Sequence, residues 1–168
     1  MPETTEAYVA RILGYLGNRD PIEVMESTPG TLARLAQGLD PAALQKRPAP
    51  NKWSVQEILA HLADTEIVLS FRVRKVLEHD GVELQAYDQD TWADLGRYVN
   101  VPATESLDRL RSLRSANVRL LRSLSPTQLA RAGMHAERGR ESVAQISRLW
   151  AGHDLNHRAQ IERIVGAK

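Results

Sequence analysis

Two four-residue stretches, Ser54-Val55-Gln56-Glu57 and Ser142-Val143-Ala144-Gln145, each set a serine three residues ahead of a Glu or Gln. In that spacing the serine hydroxyl accepts from the backbone of the fourth residue, and the fourth side chain accepts from the serine backbone N–H. Each therefore starts a helix. After the first, Val55, Ile58, Leu59, Leu62, Leu69, Val73, Val76 and Leu77 return at three- and four-residue intervals. That helix should end near His79, because Asp80-Gly81 follows. After the second, the run continues to Gly166. A third long run, residues 103–124, carries Leu107, Leu110, Leu113, Leu120, Leu121 and Leu124 on one face. Chains with three such runs fold as packed helices.

The remaining segments agree. Residues 5–17 carry a stripe of Tyr8, Ile12, Leu13 and Leu16. Asp20-Pro21, Thr28-Pro29 and Asp40-Pro41 each look like a cap followed by proline at the first helical position, which predicts three short helical pieces. Pro48-Ala49-Pro50 interrupts the chain, and Ser125-Pro126 opens a short turn. No alternating strand pattern stands out. Aromatic residues make up 5%, with one Phe, so the core must be mainly aliphatic. The expected architecture is all-α, one domain over residues 1–168, a four-helix bundle. Residues 80–102 form a connection long enough to cross the bundle, so that two successive helices run parallel.

Bulk properties remove several functions. There is no cysteine, hence no disulfide, thiolate ligand or cysteine nucleophile. A net charge of +1 gives no electrostatic case for nucleic acid or an anionic membrane. No run of about 18 apolar residues is present, and the polar, acidic start Met1-Pro2-Glu3-Thr4 is unlike a secretion signal. A cytoplasmic location, with neither nucleic acid nor membrane as partner, is the expectation.

The last helix carries the feature that bears on chemistry. Positions 146, 150, 153, 157, 161 and 164 share one stripe and read Ile, Trp, His, His, Ile, Ile. His153 and His157 thus lie on the face to be buried, at the spacing by which a helix offers two metal ligands. Two hydrogen-bonded core histidines would leave the same trace. His61 strengthens the metal reading. It stands seven residues from Ser54, and His157 stands eight from Val165. If the two helices are antiparallel, both lie roughly 10–12 Å from the same end of the bundle. A parallel arrangement would misplace them by roughly 6–12 Å. Three neutral imidazoles at one buried level would be costly without a partner, and a divalent cation removes that cost.

Other chemistry is poorly represented. There is no G-x-S-x-G, P-loop or G-x-G-x-x-G. His153-Asp154-Leu155-Asn156-His157 departs from the zinc-protease H-E-x-x-H by an Asp one methylene shorter. Asp154 reads as a solvated helix residue. Asp64 could orient His61 or face water. The arginines of 109–122 read as an exposed face. Asn117, inside a leucine stripe, reads as bonding a backbone group or lining a pocket. His79 and His135 read as solvated.

The stretches N-K-W-S-V-Q-E-I-L-A-H-L-A-D-T-E at 51–66 and L-W-A-G-H-D-L-N-H-R-A-Q-I at 149–161 resemble the DinB-like (YfiT/DinB) superfamily. A-Y-D-Q-D-T-W-A at 86–93 and G-M-H-A-E-R-G-R at 133–140 are weaker matches. The resemblance covers about residues 25–165. It implies a bundle in up-down-down-up order with a long crossover between the second and third helices, and a divalent metal such as Zn or Ni held by His61, His153 and His157. It implies a small-molecule substrate, a homodimer, and in some members a low-molecular-weight thiol as co-substrate. Tyr87, Trp92, Tyr98 and Val101, with few evident partners in a four-helix core, point to the same dimer. The expected activities are a thiol-dependent S-transferase or a metal-dependent hydrolase. The alternative is a non-catalytic, stress-associated, metal-binding dimer.

Overall fold

The structure is a computed structural model and describes residues 3–166. In chain order it has helices α1 (Thr5–Leu16), α2 (Pro21–Ala36), α3 (Pro41–Gln45) and α4 (Val55–Glu78), strand β1 (Glu83–Leu84) and helix α5 (Gln89–Leu95). A 3-10 turn (Tyr98–Asn100), α6 (Ala103–Ser123), α7 (Pro126–Ala130), β2 (Ala132–His135), β3 (Gly139–Ser142) and α8 (Val143–Gly166) complete it. Both capping boxes form. Ser54 and Glu57 satisfy each other's backbone N–H groups, and so do Ser142 and Gln145.

α2, α4, α6 and α8 make the bundle. α4 and α2 each pack on both α6 and α8, and α1 lies against α8. Side-chain pairs fix the directions. Asp64 meets Arg109 and Ser70 meets Asn117, so α4 and α6 are parallel. His61 meets His153 while Glu66 meets Trp150, so α4 and α8 are antiparallel. The order is up-down-down-up, and residues 79–102 make the crossover. α1 can approach α8 because position 152 is glycine. A Cβ there would lie 2.3 Å from the Ile12 carbonyl oxygen.

Three expectations need correction. First, Thr28-Pro29 starts no helix, since α2 runs through it. Pro29 has no N–H for the Met25 carbonyl four residues back. That carbonyl instead accepts from Arg114 Nη1 at 2.7 Å, and the Thr28 hydroxyl donates to the Val24 carbonyl at 2.9 Å. Second, a small sheet exists, in the order β1-β2-β3 with β1–β2 parallel and β2–β3 antiparallel. Its strands are two to four residues long, too short for a period-two pattern to register. Third, the aromatic side chains of the crossover find partners within the chain. Tyr98 is buried and donates to Asp64 at 2.6 Å, and Tyr87 packs on Trp92.

Arg114 is also not on an exposed face. It is 2% exposed, on the same stripe as Leu110, Asn117 and Leu121. Its guanidinium donates to Glu66 of α4 (Nε–Oε1 2.8 Å), to Asp154 of α8 (Nη1–Oδ2 2.6 Å) and to the Met25 carbonyl of α2. One side chain of α6 thus ties together the other three helices of the bundle. Glu66 also accepts from Asn117 Nδ2 at 3.0 Å and Trp150 Nε1 at 2.8 Å, so the group is fully bonded. Burial pushes the Glu66 carboxyl upward, and the Arg114 charge opposes that. Arg114→Met would strand two buried carboxylates and should cost about 3–5 kcal/mol in urea unfolding. A loss below about 1 kcal/mol, the usual worth of an exposed pair, would show that the network holds nothing together.

Candidate metal centre

His61, in the second turn of α4, and His153 and His157, one turn apart on α8, meet at one level. His153 Nε2 stands 3.1 Å from His61 Nε2 and 3.1 Å from His157 Nε2. The three are the one group of potential metal ligands found among the described residues, with their ligand nitrogens all within 4.8 Å of one another. Metal–nitrogen bonds of 2.0–2.1 Å put cis ligands roughly 2.9 Å apart in an octahedral site and roughly 3.3 Å apart in a tetrahedral one. The two separations from His153, 3.1 Å each, lie between these, and the His61–His157 separation is within 4.8 Å. A neutral imidazole has one N–H for two nitrogens. His153 Nε2 facing two others cannot satisfy both contacts as neutral hydrogen bonds, whereas a cation accepts all three lone pairs. The residues therefore fit a divalent metal.

Neighbouring side chains set the tautomers and exclude water. His157 Nδ1 faces Gln160 Oε1 at 3.0 Å. A carbonyl oxygen only accepts, so Nδ1 carries the proton and Nε2 is bare. His153 Nδ1, on the ring edge away from the other two histidines, is buried with no hydrogen-bond partner among the described residues. The Trp53 ring packs at 4.8 Å from the His61 ring and lies nearly parallel to that of His157. Burial drives all three imidazoles toward the neutral form. His153 is pushed down to about 4, with the Arg114 charge adding to desolvation. His157 is pushed down to about 3, with His153 adding. His61 falls well below the usual range through burial and then its two neighbours.

Thr65, one turn after His61, places its hydroxyl 3.5 Å from His61 Nε2 and 3.3 Å from the Tyr87 hydroxyl. Beyond them a cavity of about 400 Å³ reaches His153, with Tyr8, Arg72, Tyr87, His135 and Arg138 in its wall. That volume is in the range of small-molecule sites.

The triad is assembled from the three histidines expected for it, and several of their neighbours are not as expected. Asp154 is not solvated. It is 1% exposed and held by Arg114. Asp64 does not orient His61, being taken by Tyr98 and Arg109. Asn117 bonds side chains, donating to Glu66 and accepting from Ser70. His79 is exposed at the end of α4, while His135 is buried on β2. Trp53, Gln160 and Thr65 escaped sequence reasoning. Thr65 and Gln160 stand four and three residues after a ligand candidate, which is the signal that could have found them.

The sequence profile of the DinB superfamily matches residues 25–161. A protein of Oceanobacillus iheyensis named "Putative metal-dependent hydrolase" is 29% identical over 147 residues, covering 88% of this chain and 85% of the relative. One of the same name from Halalkalibacterium halodurans is 29% identical over 144 residues, covering 86% and 84%. The solved structure of YfiT from Bacillus subtilis, described as "a probable metal-dependent hydrolase with an unusual four-helix bundle topology", matches with a TM-score of 0.76. It is 23% identical and the match covers 87% and 86% of the two chains, a likeness of fold.

His157→Ala should remove most bound metal, measured as metal per chain after dialysis, and unchanged stoichiometry would refute the assignment. Stability should also track the lowered imidazole values. In the unfolded chain each histidine takes up a proton near pH 6.5, while in the fold His153 stays neutral to about pH 4 and His157 to about pH 3, and His61 is lowered in the same direction. Their contribution is therefore complete above pH 6.5 and is lost progressively as pH falls toward 4. Metal-free wild type should lose melting temperature across that window more steeply than metal-free His157→Ala. Parallel curves would contradict the burial account.

Proposed function

The chain belongs to the DinB superfamily, and on that footing we propose that it is a metal-dependent enzyme acting on a small molecule, with His61, His153 and His157 as the metal ligands. The observation that carries this reading is the convergence of three neutral imidazoles beside a cavity that reaches one of them. Structural zinc sites are closed by four protein ligands, whereas three leave room for an incoming group. A divalent cation there would act as a Lewis acid, lowering the pKa of a water or a thiol that enters from the cavity.

The chain's own residues set the conditions for that chemistry. Gln160 holds His157 with its lone pair inward, and Trp53 covers one side of the triad. The Thr65 and Tyr87 hydroxyls lie where they can orient an incoming nucleophile. Three imidazoles suit Zn, Ni, Co, Cu or Fe.

Between the two reaction classes, one observation favours thiol transfer over hydrolysis. Metalloprotease-type hydrolysis needs a carboxylate base. Asp154 occupies that position in the motif, but Arg114 takes both of its oxygens. A thiol starts near pKa 8.5 and needs less help than water to ionise. The thiol must be a small co-substrate, because the chain has no cysteine. Titrating the Co-substituted protein with small thiols at pH 7.5 should produce a sulfur-to-cobalt charge-transfer band, lost in His153→Ala. Should no thiol perturb the spectrum while simple esters or amides are turned over, hydrolysis is the correct class.

A further inference from the structure

The cavity beside the triad has a second end. Arg72, on α4, shares a helical face with His61, eleven residues or about three turns away. It is 6% exposed and lines the cavity. Its guanidinium donates to the Gln85 carbonyl and sits 6.0 Å from the centre of the Tyr87 ring. Among the described residues no carboxylate forms an ion pair with it. A buried guanidinium without a counter-charge is costly. Burial and the neighbouring Arg138 charge both push it below the usual arginine range.

The rest of this end is suited to an anion. Arg138 also lines the cavity, but Glu141 grips it through both carboxylate oxygens, so it adds little net charge. His135 is 4% exposed, and its Nδ1 accepts the Glu137 backbone N–H at 3.2 Å. A neutral imidazole with Nδ1 accepting must carry its proton on Nε2. Nε2 is not among the buried polar atoms without a partner, and His135 belongs to the cavity wall. At this end the wall thus offers a guanidinium without an ion-pair partner among the described residues, its charge favoured only at longer range by Glu141 and Glu137, together with an imidazole N–H donor and the Tyr8 and Tyr87 rings.

We propose that the substrate of this site is a small molecule carrying a single carboxylate, which Arg72 and His135 hold at the far end of the cavity while its reacting group faces the histidine triad. The inference rests on the enzyme reading of the triad. A monoanion is specified because Arg72 is the one guanidinium of this wall without an ion-pair partner among the described residues, Arg138 being held by Glu141. Glu3, Asp88 and Glu137 on the same wall would repel a second negative charge. The carboxylate and guanidinium can pair through two parallel hydrogen bonds. Tyr8 and Tyr87 flank apolar atoms between the two ends.

The test is calorimetric, on metal-loaded protein at pH 7.5, with three probes of one shape: 3-phenylpropanoate, 3-phenylpropanamide and 2-phenylethyl phosphate. The carboxylate should bind most tightly. Arg72→Met should weaken it by roughly tenfold to a hundredfold, the worth of hydrogen bonds to a charged group, with metal content unchanged. The wild-type ranking needs no variant, so it stands even if Arg72→Met fails to fold. Equal binding of carboxylate and amide, tighter binding of the phosphate, or no binding at millimolar carboxylate would each overturn the proposal. Metal content in the same samples separates the two readings. Full metal with no carboxylate preference ends this inference alone. A carboxylate preference that depends on Arg72 in protein without stoichiometric metal supports the anion site and ends the metal reading.

Discussion

The bundle is organised around one buried guanidinium. Arg114 bonds Glu66, Asp154 and the Met25 carbonyl, so four helices are referred to a single planar group with fixed donor directions. Aliphatic packing alone tolerates sliding and rotation of helices at modest cost. A buried, fully bonded charge does not, because a displaced helix would leave an unpaired carboxylate or guanidinium in the core. Glu66 lies five residues after His61, and Asp154 is adjacent to His153. The network therefore fixes α4 against α8 directly beside the imidazoles, and fixes α2 at the point where Pro29 leaves a carbonyl free.

That registration is what a three-ligand site on two helices requires. His153 and His157 are placed relative to each other by one helical turn. His61 comes from another helix, and its 3.1 Å approach to His153 depends on the α4–α8 register. A slip of one residue would move it by about 1.5 Å along the axis and rotate it by about 100°. Local groups then finish the work. Gln160 selects a tautomer, Trp53 excludes water, and burial keeps the rings neutral. The same α4 face that begins with His61 continues through Thr65 to Arg72, so one helix presents both ends of the cavity.

Much of this was legible in the sequence, for definite reasons. Helix limits followed from capping boxes and stripes, and the His61–His157 level followed from counting residues in an antiparallel pair. The charged core was missed although its signal was present. Arg114 falls at the 110-114-117-121 spacing and Glu66 at 62-66-69-73, each inside an apolar stripe. Reading Arg114 with the neighbouring arginines as one surface hid this, and Asp154 was misread with it. Pro29 misled because proline at a first helical turn and proline inside a helix look alike until the partner of the freed carbonyl is known. That partner is 89 residues away. The cavity wall was beyond reach for a related reason, since Arg72 and His135 are joined only by tertiary packing of α4 against β2.

The central claim is that a charge-locked bundle brings three neutral imidazoles, and no carboxylate, around one cation. Diffraction from crystals of metal-loaded protein, recorded on both sides of the metal's absorption edge, tests it most directly. The account predicts one anomalous peak per chain, bonded to His61, His153 and His157 Nε2 at about 2.0–2.2 Å, with Asp154 still on Arg114. A peak elsewhere, a fourth ligand supplied by the protein, or Asp154 swung from Arg114 onto the metal would contradict it.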